Sequence, residues 1–300
     1  MHDGSILVAG VGGLGCLWAR RAHDNCSDYA DLLLVDADER SFEDARHAHC
    51  LPLGDTSSQG CAALPELAES HMRRAKQLTE QMLAPVELLL LLTGLGGGAG
   101  TGASHALAAQ AKQNGALVLS VAATPFEDQP ARCALAEAAL PRLEEASDVC
   151  VRLSLDRLAW QARERGSDWR RDASWGGELG QGIVLTLGRV GLINLDLMDL
   201  RAVVSHTGEA TLLVAEGDAT DPEALFRSAL ASPLAGLKVE GASGCLLQIE
   251  GGPRMTVAQV NSVADAFTRG FSDDSQVILG ARMADELDGR MRVVAVVSGL

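Results

Sequence analysis

The sequence predicts an α/β chain whose first part holds a parallel sheet and whose residues 200–300 form a smaller α+β region. Two apolar runs, Ser5–Ala9 and Val86–Leu92, each lead into a glycine-rich turn and then into a helical pattern. Uninterrupted apolar runs are typical of strands that are buried on both faces, as in parallel sheets. Strand and helix patterns alternate as far as Leu153, which favours successive β-α-β units.

The composition limits the classes of protein and of partner. With 300 residues, 47% of them hydrophobic and 3% aromatic, the chain can form one large domain or two smaller ones with aliphatic cores. A formal charge of −15 argues against nucleic acid and anionic membrane surfaces as partners. The seven cysteines are scattered without a C-x-x-C pair, which indicates reduced thiols, a cytoplasmic protein and no metal site. No apolar run approaches the ~20 residues that span a bilayer, so no direct membrane insertion is expected.

Residues 5–40 predict a Rossmann-like β-α-β unit. The strand Ser5–Ala9 leads into Gly10–Gly15, and a second strand, Leu32–Val35, ends at Asp36-Ala37-Asp38. Such glycines let a diphosphate approach the N-terminus of a helix, and the acid can bind a sugar hydroxyl or a hydrated metal. The candidate phosphate contacts are Gly12, Gly13 and Gly15, and Asp38 is the candidate for the metal or sugar side.

The elements between residues 40 and 154 follow from the same periodicities. Residues 40–62 hold mixed polar and small side chains and predict a loop. Three helices and three strands are predicted after it: helices Pro65–Leu83, Ala103–Lys112 and Ala131–Glu144, and strands Val86–Leu92, Ala116–Val121 and Val149–Leu153. Proline suits the first turn of a helix, which favours a start at Pro65.

The loop Gly94–Gly102 contains six glycines in nine residues. Glycine at this density before a helix lets backbone N–H groups converge into an anion site. The loop lacks the Gly-Lys-Ser/Thr ending of a Walker A loop, so a phosphate would depend on backbone N–H groups and a metal ion. The alternative, a plain linker or tight turn, fits poorly between a buried strand and the start of a helix.

Residues 200–300 predict a second, smaller domain of the α+β type. The candidate strands are Arg201–Ser205, Thr211–Ala215, Cys245–Ile249, Gln276–Gly280 and Val293–Val297. One helix is predicted over Pro222–Leu230, and a second has Val257, Val260, Ala264 and Phe267 on one face. Clustered strands with few helices differ from the alternation in the first part of the chain, which indicates a separate domain.

Two motifs resemble the tubulin/FtsZ family. Gly96–Gly102 is similar to the family signature Gly-Gly-Gly-Thr-Gly-Thr-Gly, with Ala99 in place of the first threonine. Gly191–Asp199 is similar to the family run Gly-Leu-Ile-Asn-x-Asp-Phe-x-Asp. The resemblance implies a tubulin/FtsZ-like fold with a nucleotide-binding domain over 1–172, a core helix and catalytic loop over 173–199, and an α+β domain over 200–300.

The resemblance also implies GTP or GDP as the ligand, with Mg²⁺ beside its phosphates. The nucleotide contacts that it implies are Gly12, Gly13, Gly15, Asp38, Gly96, Gly97, Gly98, Ala99, Gly100, Thr101, Gly102, Pro125 and Arg132. Asn194, Asp196 and Asp199 correspond to the family's catalytic residues, which act on the nucleotide of the next subunit. A carboxylate there can position a water and accept its proton while a phosphoryl group leaves. We expect these acids at a helix end where the helix dipole disfavours them, so that function explains their presence.

Several positions depart from the family pattern, and they are Leu64, Gln129, Leu155 and Ala173. They replace an asparagine near the γ-phosphate, a glutamate at the ribose, an asparagine at the nucleotide and an acid or amide at guanine. Trp175 is a candidate for stacking on the base. The predicted core helix contains four glycines, Gly176, Gly177, Gly180 and Gly182. Each weakens the helix by roughly 1 kcal/mol relative to alanine. Gln129, Leu155 and Ala173 cluster on the ribose and base side, whereas the phosphate side and the catalytic acids stay close to the pattern.

Three functions remain open at this point. The resemblance implies a cytoskeletal GTPase that polymerises head to tail with itself and hydrolyses nucleotide at subunit interfaces, in cell division or membrane remodelling. Leu64, Leu155 and Ala173 favour instead a scaffold that keeps the fold but binds nucleotide weakly and does not hydrolyse it. Residues 5–40 also resemble the ubiquitin-activating/ThiF adenylation domain, which would be an ATP-dependent enzyme. Because the chain stops three residues after Val297, no C-terminal tail for recruiting anchor proteins is expected.

Overall fold

The computed structural model describes residues 6–24, 26–43, 45, 48–54, 61, 63–164, 166–169, 183–184, 192–206 and 208–300. The chain divides into two compact units, Met1–Gly177 and Glu178–Leu300. Most of the predicted core helix lies outside the described residues, as do Ala173 and Trp175. The predicted domain boundaries therefore stay predictions.

The first unit alternates strands and helices along the chain. Its strands are β1 (Ile6–Val11), β2 (Asp31–Asp36), β3 (His49–Pro52), β4 (Leu88–Gly94), β5 (Leu117–Thr124) and β6 (Val149–Ser154). Its helices are α1 (Gly12–Asp24), α2 (Pro65–Leu83), α3 (Gly98–Gln113), α4 (Pro130–Glu145) and α5 (Leu155–Glu164). A short 3-10 turn covers Glu39–Phe42.

All six strands of the first unit run parallel in the order β3-β2-β1-β4-β5-β6. Leu7 on β1 pairs with Asp31 of β2 on one side and with Leu89 of β4 on the other. The direction of strand succession therefore reverses between β1 and β4. In open parallel sheets a crevice forms at such a reversal, outside the carboxyl ends of the strands. This arrangement confirms the predicted Rossmann-like sheet.

Aliphatic side chains bury both faces of this sheet. On one face, side chains such as Ala9 and Leu91 belong to a core that also contains Ala68 of α2, Leu107 of α3 and Leu140 of α4. On the other face, α1 packs so closely on β1 that a Cβ atom added to Gly10 would lie 2.6 Å from the Cα atom of Cys16. Burial on both faces explains why β1 and β4 are continuous apolar runs rather than alternating ones.

Two local predictions in the first unit were wrong. The predicted loop 40–62 contains the edge strand β3, in which only Leu51 is buried, so the sequence carries no apolar run or alternation there. Helix α3 begins at Gly98 rather than at Ala103, because the glycines of the loop also form the first turn of the helix. The low helix propensity of glycine is outweighed here by close packing against neighbouring backbone.

The second unit has a four-stranded sheet with helices packed against it. Its elements are α6 (Leu197–Val204), β7 (Ala210–Asp218), α7 (Pro222–Ala231), β8 (Gly244–Gly251), α8 (Val257–Thr268), β9 (Gln276–Met283) and β10 (Arg290–Ser298). The strand order is β7-β10-β8-β9, with β10 antiparallel to both neighbours and β8 parallel to β9. Helices α7 and α8 share a core with the sheet, in which the rings of Phe226 and Phe267 meet edge to face at 5.1 Å. This confirms the smaller α+β part of the predicted fold.

One predicted strand of the second unit, Arg201–Ser205, is instead the end of helix α6. The helix forms because Asp196 caps its N-terminus and because Leu200 and Val203, three residues apart, are buried on one side. No helix in the described part of the chain has the length and apolar character needed to cross a membrane.

A row of charged side chains, here called the charge row, crosses the second sheet. It consists of Glu216 on β7, Arg292 on β10, Glu250 on β8 and Arg282 on β9. Arg292 donates to Glu216 at 3.0 Å and to Glu250 at 3.1 Å, and Glu250 also accepts from Arg282. Glu250 is 1% exposed, so its two arginines compensate a charge that is fully removed from water.

We expect Glu250→Gln to destabilise the protein by about 3 kcal/mol, because it leaves the buried Arg282 guanidinium without its counter-charge and Arg292 with Glu216 alone. Chemical unfolding of the full chain measures the change. The control is Arg254→Gln, which removes an ion pair with Asp288 in which both side chains are exposed, and its expected effect is under about 1 kcal/mol. Equal small losses for both variants would contradict the prediction.

Candidate functional site

A cleft of about 450 Å³ opens at the carboxyl ends of β1 and β4, at the point where the strand order reverses. We call it the glycine cleft. Its lining residues are Gly12, Gly13, Leu14, Asp36, Asp38, Ser41, Cys61, Gly94, Leu95, Gly97, Gly98, Ala99, Gly100, Pro125, Phe126, Gln129, Arg132, Leu155 and Trp169. All of them belong to the first unit.

Two glycine turns meet at the floor of the cleft. Gly12 begins α1 with a φ of +75°, a conformation that side chains with a Cβ rarely adopt. A Cβ atom at Gly12 would lie 2.9 Å from the backbone N of Gly100, in the first turn of α3. The first turns of two helices are thereby held in backbone contact. Because the N–H groups of a first turn have no partner within their helix, this brings two sets of donors together.

The second glycine turn is held by its own hydrogen bonds. Gly96 has a φ of +83°, and its N–H donates to the Thr101 hydroxyl at 2.8 Å. Gly97 is the N-cap residue of α3, and no side chain caps the helix there. A Cβ atom built on Gly97 would meet nothing within 4 Å, whereas one on Gly100 would collide with the carbonyl oxygen of Gly94. The empty space beside Gly97 and the uncapped donors of α3 suit a bound anion.

The structure brings together nine of the predicted nucleotide contacts as cleft-lining residues. These are Gly12, Gly13, Asp38, Gly97, Gly98, Ala99, Gly100, Pro125 and Arg132. The other four, Gly15, Gly96, Thr101 and Gly102, do not line the cleft. Gly15 packs against the backbone of Leu92, and Gly102 packs against the backbone of Pro65. The positions of these two glycines are explained by packing between elements.

Asp38 was predicted as the acid on the metal or sugar side of the nucleotide. The structure places two acids near the end of β2 in the lining of the cleft, Asp36 and Asp38. Asp38 is bound at 2.9 Å and 2.6 Å by the Arg40 guanidinium, whose hydrogen bonds hold the pKa of Asp38 below its usual value. Asp36 is 5% exposed and lies above Gly13. It accepts from the Ser41 hydroxyl at 2.5 Å and from the Ala37 N–H at 2.7 Å. Burial raises the pKa of Asp36, and the Ser41 hydrogen bond partly offsets that effect.

Sequence reasoning passed over Asp36 and Ser41 as site residues. Asp36 is the last residue of β2 and lies two residues after the buried Leu34. Strand alternation could therefore have placed its side chain on the same buried face as Leu34. Ser41 follows in the 3-10 turn, and no pattern in the sequence distinguishes it. The cleft also contains the buried Cys61, a thiol whose pKa is raised by burial.

The opposite end of the cleft is aromatic. The rings of Phe126 and Trp169 meet edge to face with centroids 5.3 Å apart, and both line the cleft. Leu155 and Gln129, two of the departures from the family pattern, lie in the same lining. The tryptophan predicted for stacking, Trp175, is outside the described residues. The structure therefore offers a different aromatic side chain at this end.

The predicted catalytic residues Asn194, Asp196 and Asp199 belong to the second unit. We call residues 192–199 the acid segment. Asp196 is the N-cap of α6 and accepts from the N–H groups of Met198 at 2.7 Å and Asp199 at 2.9 Å. Asp199 in turn accepts from the Asp196 N–H at 2.9 Å, which completes a capping box. Gly191, at the start of the motif, lies outside the described residues.

This geometry corrects the expected effect of the helix dipole. The acids were expected at a helix end that disfavours negative charge, but they stand at the N-terminus of α6, where negative charge is favourable. Asp196 and Asp199 therefore stabilise the helix, and their presence alone does not indicate catalysis. A functional test must separate the capping role from any chemical role.

Two family models match most of the chain. The GTPase domain of the Tubulin/FtsZ family matches residues 5–161, and the C-terminal domain of the FtsZ family matches residues 208–300. Cell division protein FtsZ 1 of Archaeoglobus fulgidus is 31% identical, covering 98% of this chain and 82% of its own. Cell division protein FtsZ 2 of Methanocaldococcus jannaschii is 29% identical, covering 99% of this chain and 80% of its own.

Solved structures share the fold. An FtsZ dimer from M. jannaschii superposes with a TM-score of 0.85 at 23% identity, covering 98% of this chain and 88% of the other. A GTPγS-bound protofilament of CetZ2 from Haloferax volcanii gives a TM-score of 0.78 at 18% identity, covering 98% of this chain and 93% of the other. The predicted tubulin/FtsZ-like fold is confirmed.

We expect Gly100→Ala to destabilise the protein by about 1–3 kcal/mol or more, since its Cβ would overlap the Gly94 carbonyl. Gly97→Ala is the matched control, because its backbone φ of −102° suits any residue and the space beside it is open. Its cost should stay under about 1 kcal/mol, the glycine preference at an N-cap. Thermal unfolding measures both changes. Equal shifts for the two variants would show that the contact between the turns adds nothing to stability.

Proposed function

Because the chain belongs to the tubulin/FtsZ family, we propose that it is a cytoskeletal GTPase that polymerises head to tail and hydrolyses nucleotide where one subunit meets the next. Its cellular role is cell division or membrane remodelling. The observation that carries the proposal is the meeting of two glycine-rich helix N-termini in one cleft, one of them without a side-chain cap. The family match over residues 5–161 favours this function over the adenylating alternative.

The described residues of the glycine cleft fit the phosphates of a nucleotide. The donors are the backbone N–H groups of the first turns of α1 and α3, and the space beside Gly97 admits a ligand atom. Among the described lining residues the basic side chain is Arg132, and no lysine is present. Phosphate binding here would depend on backbone donors and on the two helix dipoles.

The oxygen donors of the cleft fit Mg²⁺, which prefers carboxylates, hydroxyls and waters. Asp36 and Ser41 would hold it or its waters, because the Asp38 carboxylate is already engaged by Arg40. A bound Mg²⁺ would supply positive charge that offsets the charge of the phosphates. This matters for a chain with a formal charge of −15, because its own field opposes anion binding.

The aromatic end of the cleft would receive the base and ribose. Trp169 and Phe126 would present apolar surface to a purine, and Arg132 and Gln129 are polar side chains of the same lining that could meet the ribose. Leu155 provides shape but no hydrogen bond. Guanine preference would then depend on residues other than Leu155.

The acids would complete the site on a neighbouring subunit. A contact between unlike surfaces that repeats without closing produces a filament, and each contact would bring the acid segment of one copy to the glycine cleft of the next. In Asp196 one oxygen caps α6, which leaves the second oxygen to orient a water. Hydrolysis would then require assembly, because one chain would supply the cleft and another the carboxylate.

A second candidate function is a scaffold that keeps the fold and self-association but does not turn nucleotide over. The position of Leu155 in the lining of the cleft favours it, because an apolar side chain there cannot bind the nucleotide by hydrogen bonds. Nucleotide content distinguishes the two functions: purified protein is denatured, and released nucleotides are separated by chromatography. Guanine nucleotide in the supernatant supports the GTPase, and its absence together with no binding of added GTP supports the scaffold.

We expect Gly97→Ala to bind GTP at least about tenfold more weakly than the parent chain, because its methyl group occupies the space assigned to phosphate. Fluorescence titration with a labelled GTP analogue measures the affinity. Gly270→Ala is the control, since its Cβ makes only an ordinary 3.6 Å contact with Glu240 in the second unit. Unchanged affinity in folded Gly97→Ala would place the phosphates elsewhere.

We expect Asp196→Asn to reduce GTP turnover by about 10²-fold or more while nucleotide affinity stays the same, because asparagine caps a helix as well as aspartate but cannot accept a proton. Phosphate release by the polymerising chain measures turnover. Asp221→Asn is the matched control, because Asp221 also caps a helix of the second unit through the Ala224 N–H. Turnover at the parent rate in Asp196→Asn would remove Asp196 from the chemistry. Asp196→Ala is unsuitable by itself, since loss of the cap costs about 1 kcal/mol.

A further inference from the structure

The acid segment lies along the outer side of β9, which is an edge strand of the second sheet. Ile193 forms an antiparallel bridge with Ala281: its N–H donates to the Ala281 carbonyl at 3.0 Å, and its carbonyl accepts from the Ala281 N–H at 3.1 Å. Two residues further on, Leu195 is buried, and Asp196 begins α6. The backbone hydrogen bonds of Ile193 fix one end of the short stretch 193–196, and the capping box at Asp196 fixes the other end.

Gly280 provides the place where Leu195 is buried. A Cβ atom on Gly280 would lie 2.6 Å from both Cγ and Cδ1 of Leu195 and would overlap the Oε1 atom of Gln248. Gln248 is itself 3% exposed, so its side chain has little room to move. The absence of a side chain at Gly280 thus lets Leu195 lie directly on the strand.

Backbone conformation does not require glycine at this position. Gly280 lies within the regular register of β9, opposite Gln248, and its φ is outside the left-handed region. The backbone of β9 would therefore accept alanine at this position. Glycine inside a strand weakens a sheet unless its lack of a side chain is needed for packing. The requirement for glycine comes from the side chain that covers it.

We propose that Gly280 is a positioning residue for Asn194, Asp196 and Asp199: by admitting Leu195 onto β9, it determines where the acid segment stands. The inference rests on the proposed function for its catalytic consequence. A methyl group at Gly280 would move Leu195 outward, and the neighbouring Asn194 and Asp196 would move with it. Displacement of a reacting group by about 1 Å can cost of the order of 10²-fold in rate.

The test compares Gly280→Ala with Gly217→Ala in the full chain. Gly217 lies on β7, the opposite edge strand, where a Cβ would meet only one methyl of Leu225 at 3.1 Å. We expect Gly280→Ala to bind GTP with unchanged affinity, to sediment as polymer and to turn over GTP about ten- to a hundredfold more slowly per polymerised subunit. Gly217→Ala should match the parent chain in all three measurements. A loss of turnover that only parallels a loss of folded or assembled protein would overturn the proposal.

Hydrogen exchange provides a readout that does not depend on hydrolysis. The amides of Ile193, Met198 and Asp199 are hydrogen-bonded, so peptides that cover residues 192–200 are expected to exchange faster in Gly280→Ala and at the parent rate in Gly217→Ala. Unchanged exchange in Gly280→Ala would overturn the proposal. If the parent chain does not hydrolyse GTP, the proposed function fails, and hydrogen exchange still decides the role of Gly280.

A double variant tests the contact itself. Leu195→Ala removes the two Leu195 atoms that a Cβ at Gly280 would meet and leaves its contact with Gln248 Oε1. Gly280→Ala and Leu195→Ala together should therefore retain more turnover than the product of the two single effects. The same comparison applies to exchange in residues 192–200. Independent, multiplicative effects would show that the two positions do not act through one contact and would overturn the proposal.

Discussion

The backbone contact between Gly12 and Gly100 is the constraint on which the first unit depends. Without side chains at these positions, the start of α1 lies directly against the first turn of α3. The two helices pack on opposite faces of the sheet, and their N-termini converge where the strand order reverses. The sheet, the helix axes and the cleft are therefore mutually determined, and a single methyl group in the contact would force them apart.

The parallel sheet was predictable because burial on both faces gives an unmistakable pattern. Leu88–Leu92 and Ile6–Ala9 are continuous apolar runs, and each leads into glycines that packing demands. The edge strand β3 was not predictable, because with one face towards solvent and only Leu51 buried it has neither pattern. The helix α6 was missed for another reason: its Val203 and Val204 favour a strand, and the capping box at Asp196 outweighs that preference.

The site was predictable where it depends on backbone and less so where it depends on side-chain direction. Glycine turns are visible in a sequence, and nine predicted contacts line the cleft. Which of Asp36 and Asp38 faces the ligand depends on side-chain direction. Asp38 binds Arg40 and Asp36 binds Ser41, and the order of these residues in the chain does not reveal either pairing. Trp169 lines the cleft in contact with Phe126, which is 43 residues earlier in the chain. Long-range contacts of this kind leave no periodic signal.

The acid segment has one more consequence, which concerns association between sheets. β9 is an edge strand of eight residues, and exposed strand edges pair readily with strands of other molecules. Here Ile193 pairs with the backbone of Ala281, and α6 contacts the strand. The His206 ring forms a hydrogen bond with the side chain of Gln276, the first residue of β9. The chain thereby covers the part of its own edge around Ala281. A protein that assembles through a specific interface gains from this shielding, because edge-to-edge pairing would compete with ordered assembly.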